Sequence, residues 1–137
     1  MTWKTSYRSF YYDGAPEPAD PILRKGKVAL LESDWDKFGA LMNENHRLVN
    51  EMMKHCGFDA GAGTVNNDLT GIGLELGALG AKLTGAGGGG SVFFLLRPND
   101  EERFIEELMP RLKAHGLDKA RVWVPSVVRQ GAVVIDR

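Results

Sequence analysis

Apolar and polar residues alternate along residues 2–8, with Trp3, Thr5 and Tyr7 on one side and Lys4, Ser6 and Arg8 on the other, the period of a half-buried strand. Gly14, Pro16, Pro18 and Pro21 then break helix and strand alike, so 13–21 reads as a connecting loop. From Ile22 the rhythm lengthens to that of a helix. Ser33 or Asp34 can cap a second helix that runs to about His55 and stops at Gly57. On it Trp35, Phe38, Met42, Val49 and Met52 share one face, which Asn45 interrupts. An asparagine there either packs against a neighbouring backbone group or reaches into a cleft.

Leu69, Ile72, Leu76 and Leu79 predict a third helix from Asn67 or Asp68 to Leu79, with the asparagine or aspartate as its cap. Gly71, Gly73 and Gly77 would each cost about 1 kcal/mol within it, so close packing on a sheet is expected. Ala81–Thr84 and Ser91–Arg97 read as strands of a hairpin on either side of a glycine tract. Asn99 and Glu102 have capping-box spacing ahead of an apolar stripe, Phe104, Ile105, Leu108, Met109 and Leu112, ending at Gly116. Pro110 predicts a kink in that helix. Residues 121–128 and 132–135 read as closing strands, with Trp123 in the core. The chain thus divides into a loosely assigned segment, 1–21, and one domain, 22–137.

Composition narrows the functional classes. With 17 basic against 18 acidic residues, neither nucleic acid nor an anionic membrane is a favoured partner. Cys56 is the single cysteine and the first residues lack the apolar core of a signal peptide, which suits a cytoplasmic protein. No run approaches the roughly 20 apolar residues of a membrane span. His46, His55 and His115 have no metal-ligand spacing, so no metal site is expected. Asp34, Asp36 and Glu44 read as solvated charges, and Ser91 has no recognisable base beside it.

The glycine tract is the exceptional feature. Gly85 and Gly87 to Gly90 place five glycines in six positions, far more than a hairpin turn needs. Without side chains, successive N–H groups can converge on a phosphate or carboxylate. The tract fits G-x-G-x-x-G, yet a strand follows it where a dinucleotide fingerprint opens a helix. It also lacks the Gly-Lys-Ser/Thr ending of a P-loop, since Gly89-Gly90-Ser91 has no lysine between.

Residues 77–86, Gly-Ala-Leu-Gly-Ala-Lys-Leu-Thr-Gly-Ala, followed by four glycines, resemble the third signature motif of the GHMP kinases. Mevalonate kinases are the best match; homoserine and galactokinases carry other glycine patterns, and heptose kinases a related one. Met42-Asn43-Glu44-Asn45-His46 is similar to the Asn-His helix preceding that motif, and the likeness covers most of 28–97. Ser91 departs from the cysteine usual in mevalonate kinases.

The resemblance implies an α+β fold: a ferredoxin-like antiparallel sheet with helices on one face plus extra N-terminal helices. It implies a two-domain enzyme that transfers the terminal phosphoryl group of ATP, with Mg2+, to a small-molecule substrate. The Pro-x-x-x-Gly-Leu-Gly-Ser-Ser loop and the catalytic aspartate and lysine belong to the N-terminal domain of such enzymes, and no such loop occurs in these 137 residues. That domain or subunit is therefore an expected partner, with homodimerisation as a second expectation. Carried over residue by residue, Thr84, Gly85, Ala86, Gly87, Gly88, Gly89 and Gly90 form the phosphate- or substrate-binding loop, with Lys82 leading into it. Asn45 and His46 are candidates to face the cleft. A non-catalytic anion- or nucleotide-binding module, or a sugar kinase domain, are the alternatives.

Overall fold

The structure is a computed structural model and describes residues 20–85 and 87–126. Within them the order is α1 (Asp20–Leu31), α2 (Trp35–His55), α3 (Thr64–Glu75), β1 (Gly80–Leu83), β2 (Val92–Leu95) and α4 (Glu101–Ala114). The strand expected at 2–8, most of the 13–21 loop, and the strand at 132–135 lie outside the described residues. Among the described residues no helix is long and apolar enough to cross a membrane.

Of the two caps the sequence offers for α2, Asp34 is the one used: its carboxylate accepts the Lys37 N–H at 3.0 Å, and Gly57, at φ 91°, follows the helix end. On α1, Gly26 and Ala29 form the buried stripe, and Gly26 faces the Phe38 ring of α2. Small residues let the two helices approach closely.

Helix α3 begins and ends earlier than its apolar pattern implies. Its N-cap is Gly63, at φ 105° and without a side-chain cap bond, and Gly77, at φ 95°, follows its end. Asn67 is therefore inside the helix, where its carboxamide bonds Asn50 and His46 rather than capping backbone. Leu79 lies beyond the helix. Gly73 has the expected packing role, because a Cβ there would sit 2.2 Å from the Phe94 ring; Gly71 faces open space.

β1 and β2 pair antiparallel, with Ala81 opposite Phe94 and Lys82 opposite Phe93. Residues directly opposite share a face. Phe94 thus points with Ala81 and Leu83 toward α3, and its ring meets Phe104 of α4 at 5.2 Å between centroids. Ile72, Ala78, Phe104, Leu108 and Leu112 complete this core. On the opposite face the Lys82 ammonium lies 5.3 Å from the Phe93 centroid. At the free side of β1, α2 packs almost backbone to backbone: a Cβ on Gly80 would lie 2.7 Å from Gly39 Cα.

Two further expectations change. Asp100, not Asn99, is the N-cap residue of α4 and makes no side-chain cap bond; Asn99 occupies the left-handed region at φ 72°, which asparagine tolerates, so no capping box forms. The helix runs through Pro110. Residues 121–126 carry no regular structure, and Trp123 is 67% exposed instead of buried, since no strand receives it among the described residues. Those residues therefore show an α+β arrangement with a two-stranded sheet.

Candidate functional site

The site is assembled from the free edge of β1, the turn before α3 and the glycine tract. In an antiparallel ladder alternate N–H groups point away from the partner strand. On β1 these belong to Ala81 and Leu83, and α2 receives both. Asn43 Oδ1 accepts the Ala81 N–H at 2.8 Å while its Nδ2 lies 3.4 Å from the Leu79 carbonyl, so one carboxamide replaces a missing strand neighbour. One turn on, His46 Nδ1 accepts the Leu83 N–H at 3.3 Å.

Further along the same face of α2, Asn50 Oδ1 accepts from the Ala62 N–H at 3.0 Å and from Asn67 Nδ2 at 2.9 Å. The turn is held from its other side by Asn66, whose Nδ2 donates to the Ala62 carbonyl at 2.9 Å. Asn66 is 1% exposed, and its Oδ1 meets no donor among the described residues. The positioned turn in turn holds the glycine tract: Ala62 O accepts the Gly88 N–H at 2.9 Å, and a Cβ on Gly63 would lie 3.1 Å from Gly88 Cα.

Between its two anchors, the Thr84 N–H to Ser91 carbonyl bond of 2.8 Å and the Gly88 bond, the tract takes a path reserved for glycine. Gly85, Gly87, Gly88, Gly89 and Gly90 have φ of 74°, 87°, 81°, 134° and 116°. An L side chain in such regions costs roughly 1–2 kcal/mol each, which is why five glycines stand here. Gly85 and Gly88 to Gly90 are exposed, and among the described residues the amides of Gly85, Gly87, Gly89 and Gly90 donate to no backbone acceptor. The loop is thus a tethered row of open donors.

The other candidates fall around it. Thr84 is exposed, with Oγ1 3.4 Å from the Ser91 carbonyl. Lys82 is half-buried, and burial holds its ammonium below the usual lysine range. Ala86 lies outside the described residues. Asn45 is half-buried and, among the described residues, takes no part in the asparagine network; both ring nitrogens of His46 are occupied within the protein. Burial makes His46 harder to protonate, the bond to Asn67 works against this, and Lys82 adds to it. Among the described residues no three His, Cys, Asp or Glu side chains converge on a metal position. Past Gly90 the loop borders an open cleft of about 410 Å3, lined by Val65, Leu69, Leu117, Lys119 and Ala120.

Sequence reasoning missed Asn50, Asn66 and Thr70, and gave Asn43 only as part of a motif and Asn67 only as a cap. A signal was there: Asn43, His46 and Asn50 recur at helical spacing, a polar stripe beside the apolar one.

Residues 27–113 match the family described as GHMP kinases C terminal. A mevalonate kinase of Thermococcus sibiricus is 36% identical over 104 residues, covering 66% of this chain and 29% of that protein. One from Aeropyrum pernix is 29% identical over 115 residues, covering 83% of the chain and 31% of its own length. A galactokinase of Enterococcus faecalis is 36% identical over 89 residues, 58% of the chain and 19% of that enzyme. The chain spans less than a third of the length of these relatives. With well over half of its residues matched, and the glycine tract inside the matched region, the chain belongs to the GHMP kinase family through that family's C-terminal domain.

Proposed function

We propose that this chain serves as the C-terminal domain of a cytoplasmic, ATP-dependent small-molecule kinase of the mevalonate kinase type, working with an N-terminal domain or subunit. The observation that carries this reading is the tethered glycine tract, with exposed amides at positive φ beside the N-terminus of α3. Backbone donors held in place suit the oxygens of a phosphoryl group, because they need no reorganisation as charge develops. ATP supplies the phosphoryl group when bound. Lys82 adds positive charge at the entrance to the loop and Thr84 offers a hydroxyl, while half-buried Asn45 is assigned to the side of α2 that the partner domain would cover. The backbone donors suit a phosphate, and the Mg2+ that accompanies ATP in this chemistry is assigned to the partner domain as part of the same proposal. The apolar cleft beyond Gly90 takes the carbon skeleton of the acceptor.

The fold we propose for the whole domain is ferredoxin-like. Exposed Leu23, Leu31 and Trp35 belong to surface that the partner domain covers, and the chain alone self-associates through it. A concentration-independent monomer in light scattering would contradict that.

The activity test joins this chain to the part of the Thermococcus sibiricus mevalonate kinase that precedes its matched region. The fusion should convert ATP to ADP in the presence of mevalonate, while this chain alone should not, since positioning and proton transfer need both halves. Turnover with galactose instead would assign a sugar as acceptor, as the galactokinase relative favours. Gly88→Val should abolish turnover with about 1–2 kcal/mol lost in stability from the strain of a side chain at φ 81°, since a Cβ there meets no atom within 4 Å. A folded fusion that neither binds nor turns over ATP would leave only an anion-binding module.

A further inference from the structure

His46 ties together three elements, and each contact restricts where its proton can be. Nδ1 accepts from the Leu83 N–H on β1, one residue before the glycine loop begins. An amide can only donate, so Nδ1 carries a lone pair. On the other side Nε2 lies 3.0 Å from Asn67 Oδ1 and 3.3 Å from Thr70 Oγ1, both on α3. The Asn67 amide nitrogen is directed to Asn50, and the Thr70 hydroxyl donates to the Asn67 carbonyl at 2.9 Å. Both remaining partner atoms toward Nε2 are therefore acceptors. Every neighbour selects one species, the neutral ring with its proton on Nε2.

A second proton on Nδ1 would face the Leu83 N–H donor to donor. Among the described residues Lys82 on β1 is the charged group acting on the ring; α3 presents neutral Asn67 and Thr70, and on α2 the neighbouring Glu44 and Glu51 both pair with Arg47. No carboxylate is among the ring's hydrogen-bond partners, so an added proton on Nδ1 gains none there. Asn43 makes the equivalent contact to Ala81 and cannot titrate, so the edge of β1 carries one pH-sensitive clamp and one insensitive clamp.

We propose that His46 is a pH-responsive positioning residue: neutral, it clamps the end of β1 and the entrance of the glycine loop to α2 and α3, and protonated, it releases them. The proposal concerns loop order and stands apart from the kinase reading, because it is tested without ATP or a partner domain.

The experiment is nitrogen-15 NMR of the whole chain between pH 8 and 5. The His46 ring should show the Nε2–H tautomer at the upper end. As it protonates, the Leu83 amide should lose protection from exchange about tenfold beyond the intrinsic pH dependence, the equivalent of one ordinary hydrogen bond. The amides of Gly87 to Gly90 should shift with the same midpoint, and the Ala81 amide should keep its protection. His46→Asn retains an acceptor near Leu83 and should abolish this response. Loop amides that stay unmoved while His46 titrates, or that follow His55 or His115, would overturn the proposal, as would a pH response surviving in His46→Asn. If that variant fails to fold, the wild-type titration decides by itself.

Discussion

Gly63→Ala tests the contact on which the site depends. Gly63 has φ 105° and ψ 135°, close to a region that only glycine occupies without strain of roughly 1–3 kcal/mol. The new methyl would lie 3.1 Å from Gly88 Cα and 3.2 Å from Gly88 N, so the glycine loop has to retreat by a few tenths of an ångström. This loosens the 2.9 Å bond from the Gly88 N–H to the Ala62 carbonyl. Alanine also restricts the unfolded chain, which offsets about 0.4–1 kcal/mol. A net loss of about 1–2 kcal/mol follows, or roughly 3–8 °C in Tm for a chain of this size. Gly71→Ala, in the same helix, is the control: its Cβ meets no atom within 4 Å, so helix propensity alone should stabilise the protein by up to about 1 kcal/mol. Thermal and urea unfolding followed by circular dichroism measures both. If Gly63→Ala melted at or above the parent temperature, the close approach of Gly63 to Gly88 would be wrong.

Gly73→Ala places a Cβ 2.2 Å from the Phe94 ring and should cost about 1–3 kcal/mol by overpacking; Phe94→Leu in the same chain should recover part of that, seen as a favourable coupling in a double-mutant cycle. Asn43→Ala leaves the Ala81 N–H and the Leu79 carbonyl without their partner and should cost about 1–3 kcal/mol in urea titrations. Stability should also depend on His46. Its folded pKa lies below the unfolded value of 6.5, so the unfolded chain binds more protons between the two; the contribution is present above about pH 6.5 and lost as pH falls through the folded value. Denaturation curves from pH 8 to 5 should show this decline, and His46→Asn should flatten it.

What could be read from the sequence was encoded locally. The Asp34 cap and the Gly57 stop of α2 are contacts within one turn, and the hairpin follows from two apolar runs around a tract that only glycine can trace. The tract, with Lys82 and Thr84, was visible as a candidate because its glycine excess had no economical structural explanation. The α4 stripe was equally clear, since Phe104, Leu108 and Leu112 recur at helical spacing.

Only the tertiary structure decided what the polar residues do. Asn67 reads as a cap because capping is the local use of an asparagine; its distant partners, Asn50 and His46, are 17 and 21 residues away. Asn43 reads only as part of a helix motif and His46 as a cleft candidate, until β1 presents two N–H groups to them across 38 and 37 residues. The same holds for Trp123, whose exposure depends on whether a strand partner is present and not on its own hydrophobicity. Local patterns determine helices, turns and the path of a glycine loop, because their energies lie within a few residues. The clamp that sets the loop in place depends on the free edge of a strand, which exists only once the sheet has formed.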